Sequence, residues 1–109
     1  MWIFTTEGFI SAVYKEKMIQ VRARDRKSLV DLAIDCKSNV IHTPLADYPY
    51  RLETGQEQLI AWLSKQVKLL GYSNFKSEVE DIRGFEFAKP LHKVWDVMHE
   101  VEDIEARTR

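Results

Sequence analysis

The chain has 109 residues, 45% of them hydrophobic and 30% charged, with a formal net charge of −1. These are the proportions of one folded domain over 1–109, long enough for a core of its own and without the strongly basic balance that drives nucleic-acid binding by counterion release. A single cysteine, Cys36, excludes an internal disulfide and a cysteine-based zinc site. The start "MWIFTTEGF" lacks the basic region and continuous apolar run of a signal peptide, and no stretch has the length of a membrane span, which predicts a cytoplasmic protein.

The first element is a hairpin: Trp2 to Thr6 reads as a strand, Glu7-Gly8 as a two-residue turn and Phe9 to Tyr14 as the returning strand. A connection at Lys15 to Lys17 leads to a strand over Met18 to Arg24. There Ile19, Val21 and Ala23 alternate with Gln20, Arg22 and Arg24, so one face is apolar and the other carries arginines. Asp25 suits the cap of a helix running to Cys36, with the apolar positions Leu29, Val30, Leu32, Ala33 and Ile34 turned inward and Lys27, Asp31 and Asp35 turned to water. Cys36, within that apolar set, reads as a small buried thiol.

The stretch "HTPLADYPYR" follows. Pro44 and Pro49 each remove a backbone donor and push Thr43 and Tyr48 towards extended geometry, which suits a strand at a sheet edge. From Tyr48 onward the alternation predicts Tyr48, Tyr50 and Leu52 on one face and Pro49, Arg51 and Glu53 on the other. The same residues also suit a ligand-contacting loop, with Asp47, Tyr48, Tyr50 and Arg51 as the contacts. Thr54 to Glu57 has the form of a capping box. It opens a helix with Leu59, Ile60, Leu63, Val67 and Leu70 at helical spacing, the stripe widened by Trp62 and Leu69 and the helix stopped by Gly71. Phe75, Val79 and Ile82 mark a short helix ending near Gly84. Leu91, Val94, Trp95, Met98, Val101 and Ile104 mark a long last helix with Pro90 in its first turn.

These elements predict an α+β fold: an antiparallel sheet of four to five strands with three to four helices on one face, a ferredoxin-like arrangement being one candidate. From "MWIFTTEGF" through "VRARDR", "TPLADYPYR" and "NFKSEV" to "HKVW", the chain resembles a family of small bacterial proteins of about this length. The resemblance implies a free-standing bacterial domain. It brings no activity, cofactor or catalytic residue.

No P-loop, G-x-G-x-x-G, G-x-S-x-G or H-E-x-x-H is present, so no cofactor is implied. His92, Asp96 and His99 stand at i, i+4 and i+7 with ligand-type side chains, but they share the polar side of the last helix with Asp103 and read as a solvated face, not a metal site. Three function classes remain. The leading one is a non-catalytic binding or protein-interaction domain. It would recognise an anionic ligand or acidic partner through Arg22, Arg24, Arg51, Tyr48, Tyr50 and Asp47, and it would self-associate as a homodimer through its surplus of aromatic residues. A nucleic-acid-binding sheet would add Trp2, Phe4 and Phe9 as stacking groups, with Arg26 and Lys27 beside them. A small enzyme would draw on Asp47, Tyr48 and His92 for acid–base work.

Overall fold

A computed structural model describes residues 1–108. The chain divides into two compact units, Met1–Tyr72 and a second beginning at Ser73.

The first unit is built from β1 (Trp2–Thr5), β2 (Gly8–Lys15), β3 (Met18–Ala23), α1 (Lys27–Cys36), β4 (Ile41–His42), β5 (Tyr50–Thr54) and α2 (Gln56–Lys68). The five strands form one sheet in the order β1-β2-β3-β5-β4, every neighbouring pair antiparallel. The fold is therefore α+β. The first hairpin closes one residue earlier than its sequence suggests: Thr5 pairs with Gly8, and the Glu7 amide donates to the Thr5 hydroxyl at 3.1 Å. Gly8 thus opens β2 at φ 146°, a backbone conformation that side chains avoid. The second hairpin turns on Glu16 and Lys17, both at positive φ.

Register assigns the faces. Val21 lies between Ala12 and Leu52 across the sheet, and Ala23 opposite Tyr50, so alternate residues of three strands meet on one side. That side holds the core: Ile10, Ala12, Val21, Ala23 and Leu52 from the sheet, Leu29 and Leu32 from α1, and Leu59 and Trp62 from α2. α1 lies on the sheet and α2 packs on α1. Each large apolar side chain enclosed there contributes about 1.5–3 kcal/mol.

Two helices are rotated from their expected phase. In α1 the buried stripe is Leu29 and Leu32 with Ala33 and Cys36 against the core, while Val30 and Ile34, expected inside, are exposed. A stripe at i, i+3, i+4 and i+7 fills the face that a helix can present to a sheet, and residues 30 and 34 fall outside it. Asp31, expected in water, instead turns to α2. Asp25 does cap this helix, its carboxylate accepting from the Ser28 amide at 3.3 Å and from the Ser28 hydroxyl at 2.5 Å. In α2 the buried residues are Leu59 and Trp62, while Ile60 and Val67, and Leu69 and Leu70 just beyond its end, are exposed. Trp62 is the centre of the stripe because its ring is the largest group available and its indole N–H meets a partner on α1. The capping box does not form. Thr54 stays paired to Ile19 as the last residue of β5, its hydroxyl bonds to the Gly55 carbonyl at 3.5 Å, and extended Gly55 is the cap residue.

The stretch 42–51 is the connection of a hairpin. The two-residue β4 pairs with β5, and the Thr43 amide donates to the Pro49 carbonyl at 2.7 Å, so both prolines lie in the loop and β4 is one edge strand, with β1 at the other edge. β5 starts at Tyr50, which leaves Tyr48 outside the strand and free of its alternation.

The second unit contains α3 (Phe75–Arg83), α4 (Phe85–Val97) and α5 (Glu100–Thr108). α3 and α4 pack on one another, and the buried side chains of the two are Val79, Ala88 and Leu91. Asn74 caps α3 by accepting from the Ser77 amide at 3.0 Å. The expected long last helix is two helices, and it starts earlier. Gly84, at φ 92°, ends α3 and lets α4 begin at Phe85, so Pro90 lies inside the helix, not in its first turn. The helical run breaks at Met98 and His99. No helix among the described residues is long and apolar enough to cross a membrane.

Candidate functional site

The sheet face opposite α1 and α2 collects most of the candidate residues. Arg22 leaves β3 on the side away from Val21 and Ala23, Arg24 follows directly after the strand, and Arg51 lies directly across from Arg22 in the β3–β5 register. Tyr48 joins them from the loop, contrary to its expected place beside Tyr50 and Leu52. Its ring is contacted by the Arg22 guanidinium at 4.6 Å and the Arg24 guanidinium at 4.3 Å. The phenol is buried, so it serves as a platform on which two cations rest, each attracted by the negative face of the ring.

The three arginines differ in what neutralises them. Arg24 bonds to the carbonyl of Asp47 and forms an ion pair with its carboxylate at 3.4 Å, both side chains more than half exposed. Arg22 donates through Nη2 to Ser11 Oγ at 2.9 Å, and its Nε is buried without a partner. Among the described residues no carboxylate lies within ion-pair distance of Arg22 or Arg51. Glu53, two residues beyond Arg51 on the same face, is opposite Gln20 and pairs with neither. Arg22 and Arg51 are therefore opposite one another in register on adjacent strands, and among the described residues neither has a carboxylate counter-charge. Like charges directly opposite in an antiparallel pair are destabilising, roughly 0.2–1 kcal/mol.

Tyr50 does not belong to this group. It lies on the core side, opposite Ala23, stacked on His42 at 4.4 Å between ring centroids with Arg26 over its ring at 5.3 Å. Trp2, Phe4 and Phe9 do share the arginine face, because Trp2 pairs with Ser11 and Ser11 with Arg22. Phe4 and Phe9 stack at 4.7 Å, and Trp2 meets Phe9 edge-on at 5.7 Å and is 70% exposed. Ser11 is the residue that sequence reasoning missed. A lone serine between Ile10 and Ala12 in an apolar strand was its only signal, and it holds Arg22 in place.

In the second unit, α3 and α4 form a cleft of about 540 Å³ lined by Asn74, Lys76, Ser77, Glu80, Phe85, Ala88, Lys89, His92 and Lys93. His92 Nδ1 is 3.0 Å from Lys76 Nζ, and Lys76 lies over the Trp95 ring at 4.4 Å. His99, beyond the end of α4, is 2.5 Å from Glu102. His92 and His99 both contact the Trp95 ring, at 5.6 Å and 4.8 Å between ring centroids, and no three metal-ligating side chains converge among the described residues.

No family model matches the chain, and neither a curated protein nor a solved structure matches it.

Proposed function

We propose that the first unit is a non-catalytic binding module that takes an anionic group, phosphate or carboxylate, of a small ligand or an acidic partner on the face formed by Arg22, Arg24, Arg51 and Tyr48. The observation that carries this reading is the opposition of Arg22 and Arg51 in the strand register, with no carboxylate among the described residues on either. Such an arrangement costs stability in the free protein and is relieved by an anion bridging both guanidinium groups, which bind phosphate and carboxylate in a fork. Ser11 and Tyr48 fix Arg22 in advance, so little side-chain freedom is lost on binding.

The test is Arg51→Thr, a residue type that suits a strand. Under this reading the variant is equal to or more stable than the parent, by up to about 1 kcal/mol. Inorganic phosphate or a glutamate-rich peptide then raises the melting temperature of the parent and not that of the variant. If the variant is less stable and both proteins respond equally to phosphate and peptide, the patch is structural. The double change Arg22→Glu with Arg24→Glu abolishes the response in low salt under the same reading.

A second reading is supported by the placement of Trp2, Phe4 and Phe9 beside the arginines: a single-stranded nucleic acid whose bases stack on the rings and whose phosphates meet the guanidinium groups. Its mark is salt-dependent binding of a short oligonucleotide that is lost with Trp2→Ala and left intact by the glutamate-rich peptide as competitor.

A further inference from the structure

We propose that the α3–α4 cleft of the second unit is a ligand site in its own right, for the phosphate monoester of a small aromatic or apolar alcohol. The phosphate lies among Lys76, Lys89 and Lys93, and the apolar body lies on Phe85 and Ala88.

Helical spacing builds the cleft. Its α4 lining, residues 85, 88, 89, 92 and 93, falls on one face of that helix, and its α3 lining, residues 76, 77 and 80, falls on one face of the other. The volume of about 540 Å³ is in the range of clefts that hold small molecules. Both helices belong to one compact unit, so the site is complete within it.

Charge selects an anion. Three lysines line the cleft against a single acid, Glu80. Among the described residues neither Lys76 nor Lys93 has a carboxylate within ion-pair distance, and Lys89 has only Glu86, at 3.7 Å. Asn74 and Ser77 bring the first turn of α3 into the same lining, where the helix adds partial positive charge. Ammonium groups are compact point charges without the fork that matches a carboxylate, so three of them around one site favour a group that carries more than one negative charge. A phosphate monoester carries about −1.5 to −2 at neutral pH.

One of the cations is set in advance. An ammonium group has donors only, so Lys76 donates to His92 Nδ1 at 3.0 Å, and its Nζ lies over the Trp95 ring at 4.4 Å. Neither contact supplies a full negative charge, and the ammonium keeps further donors for a ligand. Holding the side chain beforehand reduces the freedom lost on binding. Lys89 lies over the Phe85 ring at 5.3 Å, and that ring is 58% exposed. A phenyl ring open to solvent inside a cationic cleft gives the apolar part of the ligand a surface to cover.

The test is titration of the isotope-labelled full chain with phenyl phosphate, followed by backbone-amide chemical shifts, with circular dichroism confirming that each variant keeps the parent's helix content. Phenyl phosphate shifts the amides of Ser77, Lys89 and Lys93 to saturation, inorganic phosphate shifts the same amides with weaker binding, and phenol leaves them unmoved. Lys76→Gln with Lys93→Gln weakens binding of phenyl phosphate by about tenfold or more. Lys93→Gln alone, which leaves Lys76 on its ring, weakens it severalfold. Phe85→Ser brings phenyl phosphate down to the affinity of inorganic phosphate. Shifts confined to Arg22, Arg24 and Arg51, with none in the cleft, overturn the proposal and leave the reading of the first unit in place. Charge variants that bind as the parent does, or phenol that shifts the cleft amides as phenyl phosphate does, overturn it as well.

Discussion

Asp31 shows how a single residue is drawn out of its expected setting. Its position on α1 suits solvent, yet Trp62 donates its indole N–H to the Asp31 carboxylate at 2.8 Å, and Lys65 approaches the same carboxylate at 3.0 Å and Asp35 at 2.7 Å. Burying the tryptophan ring requires a partner for its N–H, and an acid one helix away supplies it. Trp62→Ala should therefore destabilise the first unit by about 3–5 kcal/mol, which a urea titration followed by circular dichroism will read. Lys65 gives a pH signature. Hydrogen bonds from its ammonium group to Asp35, and then to Asp31, raise its pKa above the usual lysine value. A raised folded-state value means that the contribution of Lys65 is complete below the usual lysine range and is lost as pH rises past the folded value. About a third of each side chain is exposed, so screening holds the gain to about 0–1 kcal/mol. The stability difference between the parent and Lys65→Met should be constant through neutral and mildly alkaline pH and vanish only in strong alkali. A difference that changes near neutrality would contradict this assignment.

Among the elements, the β2–β3 hairpin carries strain that can be relieved. A two-residue loop matched to strand twist needs both central residues at positive φ, and here Glu16 at 52° and Lys17 at 68° occupy those positions. Neither residue type favours the left-handed region, where a side chain costs about 1–2 kcal/mol relative to glycine or asparagine. Glu16→Asn with Lys17→Gly should stabilise the first unit by about 1 kcal/mol or more without altering the sheet, measured as a shift in the urea midpoint at constant slope. The β4–β5 hairpin works differently. Its seven-residue connection, closed by the Thr43–Pro49 hydrogen bond, places Tyr48 on the opposite side of the sheet from Tyr50. The prolines are what make this possible, since Pro49 cannot join the ladder and the strand starts one residue later.

On the scale of the whole molecule, the two units differ in how much core each contains. All members of the main apolar cluster lie between Ile10 and Trp62, within the first unit. Residues 1–72 expressed alone should therefore unfold in one cooperative transition and keep the sheet, seen in thermal circular dichroism. The second unit, beginning at Ser73, is below the size at which a chain normally folds unaided. A peptide of residues 73–109 should therefore be only partly helical in water, as read by circular dichroism. The arginines of β3 and β5 belong to the first unit and the acids of α5 to the second.

What the sequence determined by itself was whatever depends on neighbours along the chain. The hairpins at the start, the strand of alternating apolar and arginine residues, the Asp25 cap and the α+β class all follow from spacing of two or 3.6 and from turn residues. The shared face of Arg22 and Arg24 was legible for the same reason. Other features depended on groups distant in sequence. The phase of α1 and α2 was decided by which stripe the sheet could enclose and by the Trp62–Asp31 bond, formed between residues 31 positions apart. The side taken by Tyr48 was decided by the two guanidinium groups that rest on it, and the opposition of Arg22 to Arg51 by strand register. The early start of α4 and the break at Met98 show the same limit: a proline and an apolar repeat specify local preference, and packing against α3 decides where the helix actually begins.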